Sequence, residues 1–273
     1  MKRNINKTVL YIVNIIFGLI AIAPILYALA ISFMPPDQIF SYPPKLIPKR
    51  LYFRNYRDAL NAAPIIKFIL NSFIVSLGVT VGQVITSCLA AFAFSFFNFK
   101  GRKILFIVVL ATMMIPSESI MISNYLTVGS IGWLDSYKAL ITPYLSAAMG
   151  IFMMRQYYLT LPQELYEAAK IDGCSSFKFF TKIVFPMSRP IVGSLGIYTF
   201  LVTWNQYLWP LLVTSKDSSR TVQIGISMLQ FSENQSFGLI MAGIVMVLLP
   251  SIAIFIFGQK QLIEGITSGA VKG

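Results

Sequence analysis

Residues 160–190 read TLPQELYEAAKIDGCSSFKFFTKIVFPMSRP, a polar stretch between two apolar ones. It is composed to fold in water and present a surface. Thr160-x-x-Gln163 fits a capping box, and Pro162 is tolerated in a first helical turn. The spacing puts Leu161, Leu165, Ala168 and Asp172 on one helical face. Gly173 is placed to end that helix in a left-handed conformation. Ser175 or Ser176 can cap a second helix carrying Phe177, Phe180, Ile183 and Val184. Pro186 and Pro190 mark the approach to the next apolar run. The segment therefore reads as helix, tight turn, helix. Glu167 offers a charge to a cationic partner residue, Ala168 and Ala169 permit close approach, and Gly173 sets the angle between the helices.

The rest of the chain is composed for lipid. Of its 273 residues, 56% are hydrophobic and 12% charged, against about 25% charged in a soluble domain. The net charge of +12 is dispersed among apolar runs, so the cations read as membrane-flanking charges and not as a nucleic-acid surface. With no histidine and two cysteines, a Cys/His zinc site cannot be assembled, and no metal site is expected. Cys88 falls in an apolar run and Cys174 in the polar loop, which argues against a disulfide. The chain contains no Gly-Lys pair. A phosphate-binding G-x-x-x-x-G-K-[ST] loop is therefore excluded, and any ATPase activity must reside in a partner. The histidine-free composition also leaves the usual intramembrane catalytic sets unfilled.

A spanning helix needs ~20 mostly apolar residues. Thr8–Pro36, Phe68–Phe99, Pro190–Ser215 and Asn234–Gln259 are long enough alone. The first is too long for the apolar core of a signal peptide and is expected to be a retained span. Two shorter candidates complete the count. One begins after Lys103, is interrupted by Pro116 and Glu118, and continues to Leu134. The other is Ala139–Met154, where Arg155 can snorkel and Tyr157 and Tyr158 suit an interface. Six transmembrane helices are predicted, with both termini on one side. Lys and Arg cluster near the N-terminus, at 100–103, through 155–189, and after the last span, which puts both termini and the 160–190 loop in the cytoplasm. Lys45, Lys49, Arg50, Arg54, Arg57 and Lys67 oppose this tally in one proline-rich external loop of about 30 residues.

Glu167-Ala168-Ala169, Asp172-Gly173, Ile183 and Pro186 together resemble the EAA loop of ABC importer permeases, the surface that touches the ATPase subunit. The likeness extends over nearly the whole chain. Ser41-Tyr42-Pro43-Pro44 with Asn55-Tyr56 resembles the first external loop of carbohydrate-uptake permeases. Ala91-Phe92-Ala93-Phe94-Ser95 with Phe99-Lys100-Gly101-Arg102 resembles their second span and its turn, and Met114-Ile115-Pro116 their third. The run from Thr203 to Leu211 (TWNQYLWPL) resembles their fifth, and Glu264 to Gly273 (EGITSGAVKG) the C-terminal signature of the maltose-type subclass. Phe96 stands where that pattern usually has Arg, and Cys174 where Ala usually follows Asp-Gly.

The resemblance implies an all-α membrane protein of the type I importer fold: a five-helix core at 68–260, preceded by an N-terminal helix and first extracytoplasmic loop at 1–67, and followed by a cytoplasmic tail at 261–273. It implies the permease subunit of a sugar or oligosaccharide importer in a bacterial cytoplasmic membrane. The implied partners are a second homologous permease, two ATPase subunits that use ATP and Mg, an extracytoplasmic sugar-binding protein that contacts 214–237, and membrane lipid. No cofactor is expected on this chain. The tail residues Gly269, Ala270, Val271, Lys272 and Gly273 are candidates for ATPase contact.

Glu118 is the carboxylate within a predicted span. It lies 15 residues beyond Lys103, about 22 Å along a straight helix, in the outer part of a ~30 Å core. An intramembrane carboxylate faces a cavity or marks the outer water boundary. Trp204, Asn205, Gln206 and Tyr207 combine rings with amides, a set that suits a sugar face and its hydroxyls. Helix packing and an interfacial aromatic belt are the structural alternatives. Two rival functions remain: an ABC permease for a non-sugar solute, and an ion-coupled carrier, which would show internal repeats.

Overall fold

A computed structural model describes residues 7–230 and 236–270, and among them the regular structure is helical throughout. Along the chain lie α1 (Lys7–Ser32), α2 (Pro36–Ile39), α3 (Arg54–Ala62), α4 (Ile65–Phe96), α5 (Arg102–Ala111), α6 (Ser117–Ser130), α7 (Tyr137–Ile141) and α8 (Ala148–Tyr158). They are followed by α9 (Glu164–Ile171), α10 (Ser176–Phe179), α11 (Phe185–Met187), α12 (Arg189–Trp204), α13 (Leu208–Val213), α14 (Val222–Gln230) and α15 (Phe237–Ala270). Among the described residues three helices are long and apolar enough to cross a membrane: Val9–Ser32, Ile65–Phe96 and Phe237–Gln261. The pair Arg102–Met114 and Ser117–Ser130 makes a fourth if counted as one span.

Prolines and polar residues explain why the other predicted spans are not single helices. The third is bent by 97° between Met114 and Ser117. Ile115 is extended there, at φ −87° and ψ 117°. A residue before proline is pushed out of the α region, and Pro116 has no N–H to continue the ladder. Glu118 therefore stands in the first turn of α6 beyond a right-angle bend, and the 22 Å estimate for a straight helix does not hold. The Ala139–Met154 run is divided into α7, a 3₁₀ turn at Thr142–Tyr144 around Pro143, and α8. The Pro190–Ser215 run is divided into α12 and α13 at residues 205–207.

The chain forms two compact units. The first comprises residues 1–66 and 225–249. In it the Nδ2 of Asn55 donates to the carbonyls of Ser32 at 2.9 Å and Met34 at 2.8 Å, satisfying groups at the end of α1. Tyr56 bonds the Ser32 hydroxyl at 2.8 Å, and its ring packs 5.0 Å from Phe33. The Asn-Tyr pair of the first loop is thus a helix-end clamp. Two of the loop's cations face carboxylates, Arg50 with Asp37 and Arg54 with Asp58, both exposed.

The second unit comprises residues 67–224 and 250–273. Its helices approach over small residues, as expected where apolar burial in lipid gives no drive to associate. Gly78 and Gly82 of α4 face Ile141 and Leu145, and Gly150 of α8 lies against Ser87 and Leu195. Gly258 of α15 meets Ile197 of α12, and the Ser194 hydroxyl donates to the Gln261 carbonyl.

Candidate functional site

The 160–190 segment folds as a helix, a turn and a second helix, with differences in detail from the sequence expectation. The capping box does not form. The Thr160 hydroxyl donates to the Tyr157 carbonyl at 2.7 Å, α9 starts only at Glu164, and Gln163 makes no side-chain cap. Pro162 precedes the helix, since a proline here ends the turn that follows α8. Glu164 and Glu167 lie in the first turn of α9, where they complement the helix dipole.

The turn is a Schellman motif. Gly173 has φ +68°. Its N–H donates to Lys170 O at 3.0 Å, and the Cys174 N–H donates to Ala169 O at 2.8 Å. Of the two candidate caps, Ser175 acts: its hydroxyl accepts from the Lys178 N–H at 3.3 Å. The second helix passes from α10 through a π-helical turn at Phe180–Val184 into α11. Pro186 follows that turn. It lacks an N–H for a carbonyl one turn back, and the wider π turn absorbs the mismatch.

The face of α9 that carries Leu165, Ala168 and Asp172 is not the one that packs. Ala169 is buried, and Tyr166 and Leu161 pack against the same cluster. Ala168, Leu165 and Asp172 are exposed instead. Ile183 and Pro186 are half-buried. The base of the loop is a set of rings. Phe96 lies 5.5 Å from Tyr166, 5.4 Å edge-on from Phe179 and 5.1 Å from Phe92. Phe179 is fully buried. Phe96, which stands where the family pattern usually has Arg, is thus a packing hub joining the end of α4 to both loop helices. Glu167, Ala168, Asp172 and Gly173 are left facing out. Beside them stand two exposed apolar side chains, Ile171 at 87%, which the sequence reading did not single out, and Phe177 at 71%, which it grouped with Phe180, Ile183 and Val184.

A cavity of about 390 Å³ lies among α4, α6, α8, α12 and α13. Glu118, Gln206 and Tyr207 line it, together with Gln83, Tyr144 and Thr199. Gln83 donates to the Tyr144 carbonyl at 2.9 Å and accepts from the Thr199 hydroxyl at 3.1 Å. Trp209 forms part of the wall, with its Nε1 donating to Ala139 O at 3.1 Å. Gln83 was missed by the sequence reading, although an amide in the middle of a long apolar run is a signal of its own. Trp204 and Asn205 are outside the wall. Trp204 is 1% exposed and stacks on Phe200 at 5.8 Å. Asn205 donates to Leu201 O at 2.8 Å at the break after α12.

The candidate loop at 214–237 includes residues 231–235, which lie outside the described residues, as do Val271, Lys272 and Gly273 of the tail. Gly269 and Ala270 continue α15. The start of the loop is fastened to the helices beside it. Asn71 donates to Ser218 O and Arg220 O, and accepts from the Tyr137 hydroxyl at 2.6 Å. Among the described residues no group of three or more His, Cys, Asp or Glu side chains could hold a metal.

Residues 83–262 match the family described as the binding-protein-dependent transport system inner membrane component. The chain is 37% identical to the arabinooligosaccharides transport system permease protein AraQ of Bacillus subtilis (strain 168), over 83% of this chain and 81% of that protein. It is 31% identical to the sn-glycerol-3-phosphate transport system permease protein UgpE of Rhizobium meliloti (strain 1021), over 97% of each. A chain of the crystal structure of a bacterial ABC transporter involved in the import of the acidic polysaccharide alginate superposes with a TM-score of 0.83. That match has 21% identity and covers 95% of this chain and 99% of the other. It shows the fold, that of type I ABC importer permeases. With the family matched over most of its length and relatives aligned nearly end to end, the chain belongs to the binding-protein-dependent transport system inner membrane components and is a permease subunit of an ABC transport system.

Proposed function

We propose that the chain forms half of the translocation pathway of an ATP-driven importer for a sugar or oligosaccharide. A second homologous permease supplies the other half. Two ATPase subunits, using ATP and Mg, dock on the cytoplasmic side, and an extracytoplasmic binding protein delivers the solute. The observation that carries this reading is the 160–190 segment. It presents Glu167, Ala168, Ile171 and Phe177 outward from a packed aromatic base, and so can transmit a displacement of its partner as a rigid body. Ala169, Ile183 and Pro186 hold the segment in place, and Asp172 and Gly173 turn it. The tail residues Gly269, Ala270, Val271, Lys272 and Gly273 are assigned to the same contact by their sequence.

In this reading α1, α4, α5 with α6, α7 with α8, α12 with α13, and α15 are the six spans, and both termini are cytoplasmic. Residues 1–67 form the N-terminal helix and first external loop, 68–260 the permease core and 261–273 the tail. The broken spans fit a transporter, because irregular backbone at membrane depth is tolerated where it lines a cavity.

The sugar assignment is supported by the likeness to AraQ and by the rings and amides of the cavity wall. The likeness to UgpE favours a second reading, a phosphorylated polyol. Against it, the described wall carries Glu118 and no Lys or Arg, and an uncompensated carboxylate disfavours an anion on its path. The test is the purified assembly with its binding protein. ATP hydrolysis should be stimulated by a neutral oligosaccharide in a panel that includes glycerol 3-phosphate. Stimulation by glycerol 3-phosphate alone would overturn the sugar assignment and leave the coupling assignment standing.

A further inference from the structure

A second pocket, of about 590 Å³, opens where α4 ends, α5 begins, α8 ends and α9 passes. Its lining includes Arg102, Arg155 and Lys170, with Glu167 as the carboxylate. The three cations are held by neutral groups. Arg102 donates from Nη1 to Phe97 O at 2.9 Å and to Asn98 Oδ1 at 3.1 Å. The Arg155 guanidinium lies 4.1 Å from the centre of the Phe106 ring, and its Nε is shut off from solvent with no partner among the described residues. Lys170 Nζ stands 4.5 Å from the Tyr166 ring centre. Among the described residues none of the three forms an ion pair. A pocket whose lining sets three cations against one carboxylate has surplus positive charge and is chemically a site for an oxyanion.

Its level in the fold says which oxyanion. Arg102 opens α5, and Ile104, Leu105, Ile107 and Val108 directly after it are exposed apolar side chains. Phe97 in the lining and Phe99, two residues on, are exposed as well. Exposed apolar side chains next in sequence to the cations of the pocket match the boundary between acyl chains and headgroups, where basic pockets between spanning helices take lipid phosphates. We propose that this pocket binds the phosphate headgroup of an anionic lipid of the cytoplasmic leaflet. The lipid sits against Lys170 and beside Glu167 of α9, so its occupancy is felt by the helix that meets the ATPase. The leaflet and the effect on coupling rest on the reading in the preceding section, whereas anion binding at the pocket does not.

The test uses the intact transporter. Wild type and the Arg102→Gln/Lys170→Gln double variant are purified in detergent, and retained phosphatidylglycerol is measured against phosphatidylcholine by native mass spectrometry. Each cation removed should lower selective retention about fivefold, the equivalent of roughly 1 kcal/mol per cation near an anionic surface. Arg155→Gln should add to the loss and Arg155→Lys should largely restore it. In phosphatidylcholine vesicles, adding phosphatidylglycerol should raise substrate-stimulated ATP hydrolysis in wild type and not in the variant. Unchanged phosphatidylglycerol retention in the variant overturns the site. So does inorganic phosphate reproducing the stimulation in phosphatidylcholine vesicles, which would assign the pocket to a free anion. Detachment of the ATPase subunits with lipid retention intact would assign the cations to a protein contact instead. Because lipid retention is measured without transport, failure of the sugar assignment leaves this test unaffected.

Discussion

At the scale of single residues, Gly173 and Asp135 hold turns that their neighbours depend on. Gly173 sits at φ +68° with open space around the position of a Cβ, so the obstacle to a side chain there is the backbone conformation itself. Gly173→Val should cost about 1–2 kcal/mol locally and misdirect α10 relative to α9. The expected result is loss of uptake with normal membrane insertion. Glu167→Ala should also lower uptake, by removing the outward charge without altering the turn. If both variants retain wild-type uptake and ATPase stimulation, the coupling role of this loop is wrong. Asp135, at φ 58°, accepts from the Ser215 hydroxyl at 2.7 Å and from the backbone N–H groups of Ser215 and Lys216. The Ser215 hydroxyl first, then those N–H groups, hold its carboxyl below the usual carboxylate range. A depressed value in the fold means that the stabilisation is complete above the ordinary carboxylate pKa and is lost as pH falls through the lower, folded one. Protease protection of the 214–221 segment should therefore persist to mildly acidic pH and fail only below the ordinary range. Asp135→Asn should weaken protection at neutral pH and converge with wild type at the lowest pH, where the carboxyl is protonated, and an identical profile in that variant would remove the carboxylate from the account.

At the scale of elements, the aromatic base of the 160–190 segment converts two short helices into one unit. Neither α9 nor α10 is long enough to be stable alone in water, so their order must come from packing. Phe179, fully buried among Phe92, Phe96 and Tyr166, is where that packing is densest. Phe179→Ala should destabilise the segment by about 3–5 kcal/mol. Cys174 packs against the same cluster, so its labelling by a water-soluble maleimide should accelerate in this variant while buried Cys88 stays unreactive. Equal labelling rates would mean that the rings do not hold the segment. Much of this element was readable from residues alone: Gly173 and a serine cap mark the turn by their backbone chemistry, whatever surrounds them. The start and rotation of α9 were not readable. Thr160-x-x-Gln163 satisfies a local rule, but Pro162 and the carbonyls at the end of α8 compete for the same groups and win. Likewise, which of two adjacent alanines is buried depends on the rings of α4 and α10, which are distant in sequence.

At the scale of the whole molecule, the broken spans create the cavity. The bend after Met114 brings the start of α6, with Glu118, into the wall, and the break at 205–207 places Gln206 and Tyr207 there while Trp204 stays buried. Glu118→Gln should leave assembly and stimulated ATP hydrolysis intact and reduce solute uptake several-fold; uptake at the wild-type level would take this cavity off the pathway. Composition and apolar run length determined by themselves that the chain lives in a membrane, because hydrocarbon excludes unpaired backbone and charge from any run of that length. The missing Gly-Lys pair placed any P-loop ATPase elsewhere, and local backbone chemistry determined the turn at Gly173. Only the tertiary structure decided which polar residues of the spans share a cavity, how a substituted Phe96 became a packing hub, and where Arg102, Arg155 and Lys170 converge. Those outcomes depend on how helices far apart in the chain meet, and the energy of such contacts is not written in any one stretch of it.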